Sequence, residues 1–121
     1  MIKIGKVNES VSLNEALSVA KYANQGGPNK PFPDGSAKGD LEGSNKAITV
    51  TVAYAGKNWS KKGDYVVEAY FNDSDDMVSL CTECKSGKEA IALAEKLLKE
   101  VNDPMYDAKK VAKKYKLDYV D

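Results

Sequence analysis

Three consecutive runs of strict period two constrain this chain most. In residues 47–55, Ile48, Val50, Val52 and Tyr54 fall on one side and Thr49, Thr51 and Ala53 on the other. In 64–72, Tyr65, Val67, Ala69 and Phe71 oppose Val66, Glu68 and Tyr70. In 77–85, Val78, Leu80, Thr82 and Cys84 oppose Ser79, Cys81 and Glu83. Such alternation, carried by β-branched and aromatic residues, predicts strands with one face buried. The joining segments 56–63 and 73–76 are short enough for antiparallel hairpins. The buried face needs a cover, and the next segment offers one. Ser86 and Glu89 form a capping box, with Ala90, Ile91, Ala94, Leu97, Leu98 and Val101 as an apolar stripe behind it. That pattern predicts a helix over about 87–102 packed on the sheet.

The flanking signals are weaker. Residues 1–7 suggest a short edge strand. Ser12 and Glu15 form another capping box before Leu13, Ala16, Leu17 and Ala20, and Gly26, Gly27 and Pro28 stop the period. A first helix over about 13–24 follows. Residues 25–46 hold five glycines and three prolines and read as a long, partly mobile loop that Phe32 pins to the core. Asp103 and Pro104 suit the N-cap and first position of a third helix, with Ala108, Val111, Ala112 and Tyr115 as its stripe. Residues 117–121 read as a last strand or a docked tail. The expectation is a single α+β domain over 1–121, in the order α-β-β-β-α-α. It has a three- to four-stranded antiparallel sheet with helices on one face.

Composition narrows the function classes. The chain of 121 residues has 18 basic and 18 acidic side chains, a formal net charge of zero. A dedicated nucleic-acid binder usually shows a basic excess, and a DNA mimic an acidic one. Any electrostatic site is therefore local. Every basic residue is a lysine. The chain thus lacks a planar fork for phosphate or carboxylate and any group that titrates near neutrality when unperturbed. Without histidine, no Ser-His or Cys-His nucleophile pair can form, and no spacing marks out an acid–base pair of carboxylates. No enzyme activity, catalytic residue or cofactor is expected. No basic start followed by an apolar run suggests a signal peptide, and no apolar stretch is long enough to span a membrane. A cytoplasmic setting, with both cysteines reduced, is the expectation.

Cys81 and Cys84 make a C-x-x-C. A structural zinc site needs four ligands, and the chain has no further cysteine and no histidine. On a regular strand, a spacing of three puts the two side chains on opposite faces. The structural reading is one buried thiol and one on the other face, with no metal. Asp73, Asp75 and Asp76 form an acidic hairpin tip without EF-hand spacing, so a solvated turn is expected there. The glycines of 26–39 do not match a phosphate-binding loop.

The most informative segment is Lys57-Asn58-Trp59-Ser60-Lys61-Lys62, a hairpin loop with three lysines around the only tryptophan. A loop tryptophan can stack on a base while lysines meet phosphates. It can equally anchor a protein partner, or simply fold back on the edge of the core.

Residues 48–101 resemble two families. The order helix, three strands, helix is similar to that of double-stranded RNA-binding domains. In those, the second helix opens with lysines that grip phosphates. Ser86-Gly87-Lys88-Glu89-Ala90 falls there, so the resemblance implies a phosphate contact at Lys88. The family's Gly-Pro-x-His loop has no counterpart here. The same stretch resembles the βββα core of HicB-type antitoxins. Gly63-Asp64-Tyr65-Val66-Val67 matches their second strand, and Ser86 to Ile91 matches the entry to their helix. That resemblance implies direct binding to a small protein partner.

The leading expectation is a non-enzymatic binding module of a bacterium or phage that regulates or inhibits a macromolecular partner, most simply a protein. A nucleic-acid-binding domain using Lys57, Trp59, Lys61, Lys62 and Lys88 is the alternative. A protein that sequesters a small molecule or nucleotide under the 25–46 loop is the third. Free sheet edges leave room for a homodimer.

Overall fold

The computed structural model describes residues 17–23, 26–72, 79–103, 105 and 107–120. The suggested strand at 1–7, the capping box at Ser12, the acidic tip at 73–76 and Pro104 lie outside these residues.

The three alternating runs form the three central strands, β3 (Ile48–Tyr54), β4 (Tyr65–Phe71) and β5 (Ser79–Cys84). Each pairs antiparallel with the next, with Val50 opposite Ala69 and Ala69 opposite Leu80. Period two puts Ile48, Val50, Val52, Val67 and Leu80 on one face, and all are fully buried. Helix α1 (Gly87–Glu100) covers that face with Ala90, Ala94, Leu97 and Leu98. Ser86 caps it as expected, its Oγ accepting the Glu89 N–H at 3.1 Å.

Among the described residues the sheet is larger than expected, with six strands in sequence order. β1 (Ser18–Val19), β2 (Leu41–Ser44) and β6 (Asp118–Val120) extend it at both sides. The helix expected over 13–24 is absent from its described part, 17–23. There Ser18 pairs with Glu42 and Val19 with Leu41, and the Ala20 N–H donates to the Asp40 carbonyl at 2.7 Å. The open hydrogen-bonding edge of β2 overrides a short helical stripe that buries only Leu17 among residues 17–20.

The 25–46 segment is likewise not a free connector. It contains β2, and its remainder is docked. Phe32 is 2% exposed, with its ring centroid 5.4 Å from that of Tyr65, which lies 5.1 Å from that of Tyr54. Two of its side chains cap both ends of α1. Asp34 Oδ2 accepts the Gly87 N–H at 2.6 Å. At the other end, Asn45 Nδ2 donates to the carbonyls of Leu98 at 2.8 Å and Val101 at 2.9 Å. These contacts satisfy helix-terminal groups that α1 cannot satisfy itself, and they join a glycine-rich segment to the rigid layer.

Burial opposes the charge on Asp34. Hydrogen bonds from Ser36 and Gly87, with the Tyr65 hydroxyl, outweigh that and hold the carboxyl below the usual aspartate range. A folded pKa below the unfolded one means that the unfolded chain binds the extra proton. The contribution is therefore complete above about pH 4 and is lost as the pH falls through the folded value. The Gly87 amide is expected to exchange faster as the pH drops below about 4, once corrected for intrinsic rates, and Asp34→Asn is expected to flatten that dependence. A pH-independent protection factor would remove Asp34 from the latch.

The last helix, α2 (Ala108–Tyr115), starts four residues later than expected. Asp107, not Asp103, is its N-cap and accepts the Lys109 N–H at 2.8 Å. Asp103 instead accepts the Met105 N–H at 3.0 Å, closing a turn before the helix. Val111, Ala112 and Tyr115 join the core, and the Tyr115 hydroxyl donates to Glu100 on α1. No helix among the described residues is long and apolar enough to cross a membrane.

Candidate binding groove on the helix-free face

Both helices among the described residues join the core on one face of the sheet, and no described helix covers the other. The other face presents Glu42 from β2, Thr49, Thr51 and Ala53 from β3, and Val66, Glu68 and Tyr70 from β4. Cys81 and Glu83 from β5 and Asp118 from β6 continue it. The register aligns Glu42, Thr51, Glu68, Cys81 and Asp118 in one row across five strands. With Glu83 beside this row, the strand positions of the face supply four carboxylates and no lysine.

A groove of about 560 Å³ opens on this face. Its floor is Ala53, Val66 and Glu68; Pro28, Pro31 and Asp40 line it from the docked loop, and Trp59 lines it from the β3–β4 hairpin. Three features build it. The antiparallel register brings Ala53 opposite Val66. Phe32 and the Asp34 latch hold the loop. Asn29 clamps the loop's two arms, with its Nδ2 donating to the Ala20 carbonyl and its Oδ1 accepting the Asp40 N–H at 3.2 Å.

Trp59 is 60% exposed, so it does not fold back into the core. Its loop is nevertheless ordered by its own hydrogen bonds. The Trp59 N–H is 3.0 Å from Asp64 Oδ1 and the Ala55 N–H is 2.7 Å from the Asp64 carbonyl. Ser60 Oγ accepts the N–H groups of Lys62 at 3.1 Å and Gly63 at 3.2 Å. Asn58 takes a left-handed conformation at φ 61°. A large aromatic side chain is thus held in water by a fixed backbone, an arrangement that reduces the entropy lost on binding.

The lysines singled out in the sequence do not form one surface. Lys57 and Lys61 are exposed in the hairpin beside Trp59. Lys62 turns to the acidic row, its Nζ 3.0 Å from Asp118 Oδ2. That hydrogen bond and charge raise its pKa. Both partners are exposed, so the pair adds little to stability. Lys88 is exposed in the first turn of α1, in the helix layer, with the sheet between it and the groove.

Cys81 and Cys84 lie on opposite faces, as their spacing requires, but both are half-buried rather than one buried outright. Burial and the neighbouring Glu83 and Glu68 push the Cys81 thiol up to about 11. Burial and the charge of Glu89 also raise that of Cys84. Both thiols are protonated at neutral pH, the unreactive form. Among the described residues, no group of three or more Cys, Asp or Glu side chains converges as metal ligands. Burial, then the bond it donates to Glu68, raises the Tyr70 hydroxyl's pKa, so Tyr70 also stays neutral.

Sequence reasoning found Trp59 but missed Glu68, Asp40 and the two prolines as its companions. Glu68 sits alone among the apolar residues of β4, and only the pairing of β3 with β4 makes it part of a groove floor. Comparison with known proteins finds no family model, no curated protein and no solved structure that matches this chain.

Proposed function

We propose that this chain is a non-enzymatic binding protein, of a regulatory or inhibitory kind, that engages a protein partner through the Trp59 groove. The observation that carries the reading is the 60% exposure of Trp59 on a hydrogen-bonded loop beside a groove whose floor sets Glu68 next to apolar Ala53 and Val66. Aromatic anchors next to pockets dominate protein-binding energetics. The raised pKa of both thiols, which keeps them in the unreactive form, supports a binding role over thiol chemistry.

The nucleic-acid reading has less support. Phosphates would meet Glu68 and Asp40 in the groove, Lys62 is engaged by Asp118, and Lys88 lies in the other layer. A small ligand is the second reading, because about 560 Å³ is within the usual range for small-molecule sites.

Photo-crosslinking tests the choice. A benzophenone amino acid placed at position 59 is expected to give a discrete adduct in native lysate, resistant to nuclease and destroyed by protease. The same probe at position 99, on the exposed side of α1, is expected to give none. Equal labelling from both positions, or an adduct that collapses with nuclease, would overturn the protein-partner reading. A rise in melting temperature with a small ligand, without any protein adduct, would favour the second.

A further inference from the structure

We infer that the groove receives a single arginine side chain of the partner, its guanidinium between Glu68 and the Trp59 indole and its stem against Ala53 and Val66. This rests on the groove being the docking place, as proposed above, and adds the chemistry of what enters it.

Charge and shape choose the occupant. Glu68 is the one ionisable side chain of the floor, half-buried between Thr51 and Cys81 in the register. One of its oxygens already accepts from the Tyr70 hydroxyl, which fixes the carboxylate in place. Glu42 and Glu83 lie on the same face and add negative charge beside the floor, while Asp118 is paired with Lys62. A cation is favoured there and an anion is not. Trp59 supplies the second requirement. Tryptophan is the best aromatic partner for a cation, and a guanidinium can lie flat on the indole while bonding a carboxylate through its edge. Ala53 and Val66 offer apolar surface for a methylene stem.

The surroundings restrict the number of cations. Lys30 lines the groove, and Lys57 and Lys61 flank Trp59. A run of basic residues would be repelled by these lysines, whereas one cation flanked by neutral or acidic residues would not. The chain contains no arginine, so a second copy of it cannot provide this group. The occupant therefore belongs to a different protein.

The single tryptophan makes the test direct, because its indole N–H gives one resolved resonance in a ¹H–¹⁵N spectrum. The probe is a blocked pentapeptide with a central arginine between alanines, compared with the same peptide carrying citrulline, the neutral isostere. The arginine peptide is expected to shift the indole resonance saturably. The citrulline peptide is expected to bind about tenfold more weakly or less. Glu68→Gln is expected to lower affinity for the arginine peptide about tenfold, the effect of losing a charged hydrogen-bond acceptor, and to leave citrulline binding unchanged. Equal affinity for both peptides would overturn the inference while leaving the groove as a docking place. No indole shift up to about 10 mM peptide, weaker than any specific contact of interest, would also overturn it; the crosslinking from position 59 then decides separately whether the groove docks a protein at all. If Glu68→Gln does not retain the native amide spectrum, salt decides on the unmodified protein. The gap between the two peptides closes with added salt if a carboxylate is the counter-charge, and a gap that persists overturns the inference.

Discussion

Gly63→Ala is expected to destabilise the fold by about 2–4 kcal/mol, lowering the melting temperature by roughly 10 °C. Gly63 has φ +152°, and a Cβ there would stand 2.0 Å from the Cys84 carbonyl oxygen and 2.6 Å from the Lys85 nitrogen. Those atoms are backbone at the junction of β5 and α1, so they cannot swing aside as a side chain could. The hairpin must then lift from the sheet end. The hydrogen bonds between Ser60 and Gly63 carry that displacement to Trp59. Gly35→Ala is the control. It also has a positive φ, +78°, but nothing lies within 4 Å of its Cβ position. Its cost is expected to be only about 1 kcal/mol of backbone strain. Denaturant melts of the two variants check the contrast, and equal losses would show that the junction has room for a methyl group.

Phe32→Ala is the second large effect, with an expected loss of about 3–5 kcal/mol. The ring is 2% exposed and packs at a tilt against Tyr65, which in turn packs at a tilt against Tyr54. It is the one large apolar side chain that the segment between β1 and β2 places in the core. Without it, hydrogen bonds such as the Asp34 latch and the Asn29 clamp must hold the segment with no apolar anchor, and Pro28, Pro31 and Asp40 lose their fixed position on the groove. Hydrogen exchange is expected to accelerate first at the amides of Phe32 and Gly35, which are bonded within that segment. The amides of β3 and β4 are expected to follow only with global unfolding. Uniform acceleration across the sheet would instead make Phe32 an ordinary member of the global core.

The central architecture was legible because its signals are local and repeated. Period two in β3, β4 and β5, and the Ser86 cap with the Ala90–Leu97 spacing in α1, each encode both an element and the face it buries. The errors share a cause. Ser18 and Val19 become a strand because β2 offers an edge. Leu41–Ser44 contains one bulky apolar residue and still forms a strand because its partners in β3 already exist. Asp103 with Pro104 after it is the stronger local signal, yet Asp107 caps α2, and the helix so placed brings Tyr115 to Glu100 on α1.

The candidate site divides in the same way. Trp59 among its lysines stands out in the sequence, since a lone tryptophan in a polar hairpin loop has few roles. The groove it lines, and the Glu68 carboxylate on the floor of that groove, do not. The sequence by itself determined three central strands, the helix that covers them, and the absence of histidine and arginine, which bounds the chemistry the chain can perform. Only the tertiary structure decided that residues 25–46 form a wall rather than a tether. The reason is that Phe32, Asp34 and Asn45 find their partners at Tyr65, Gly87 and Leu98, contacts that depend on the finished sheet and helix and leave no periodic trace in the chain.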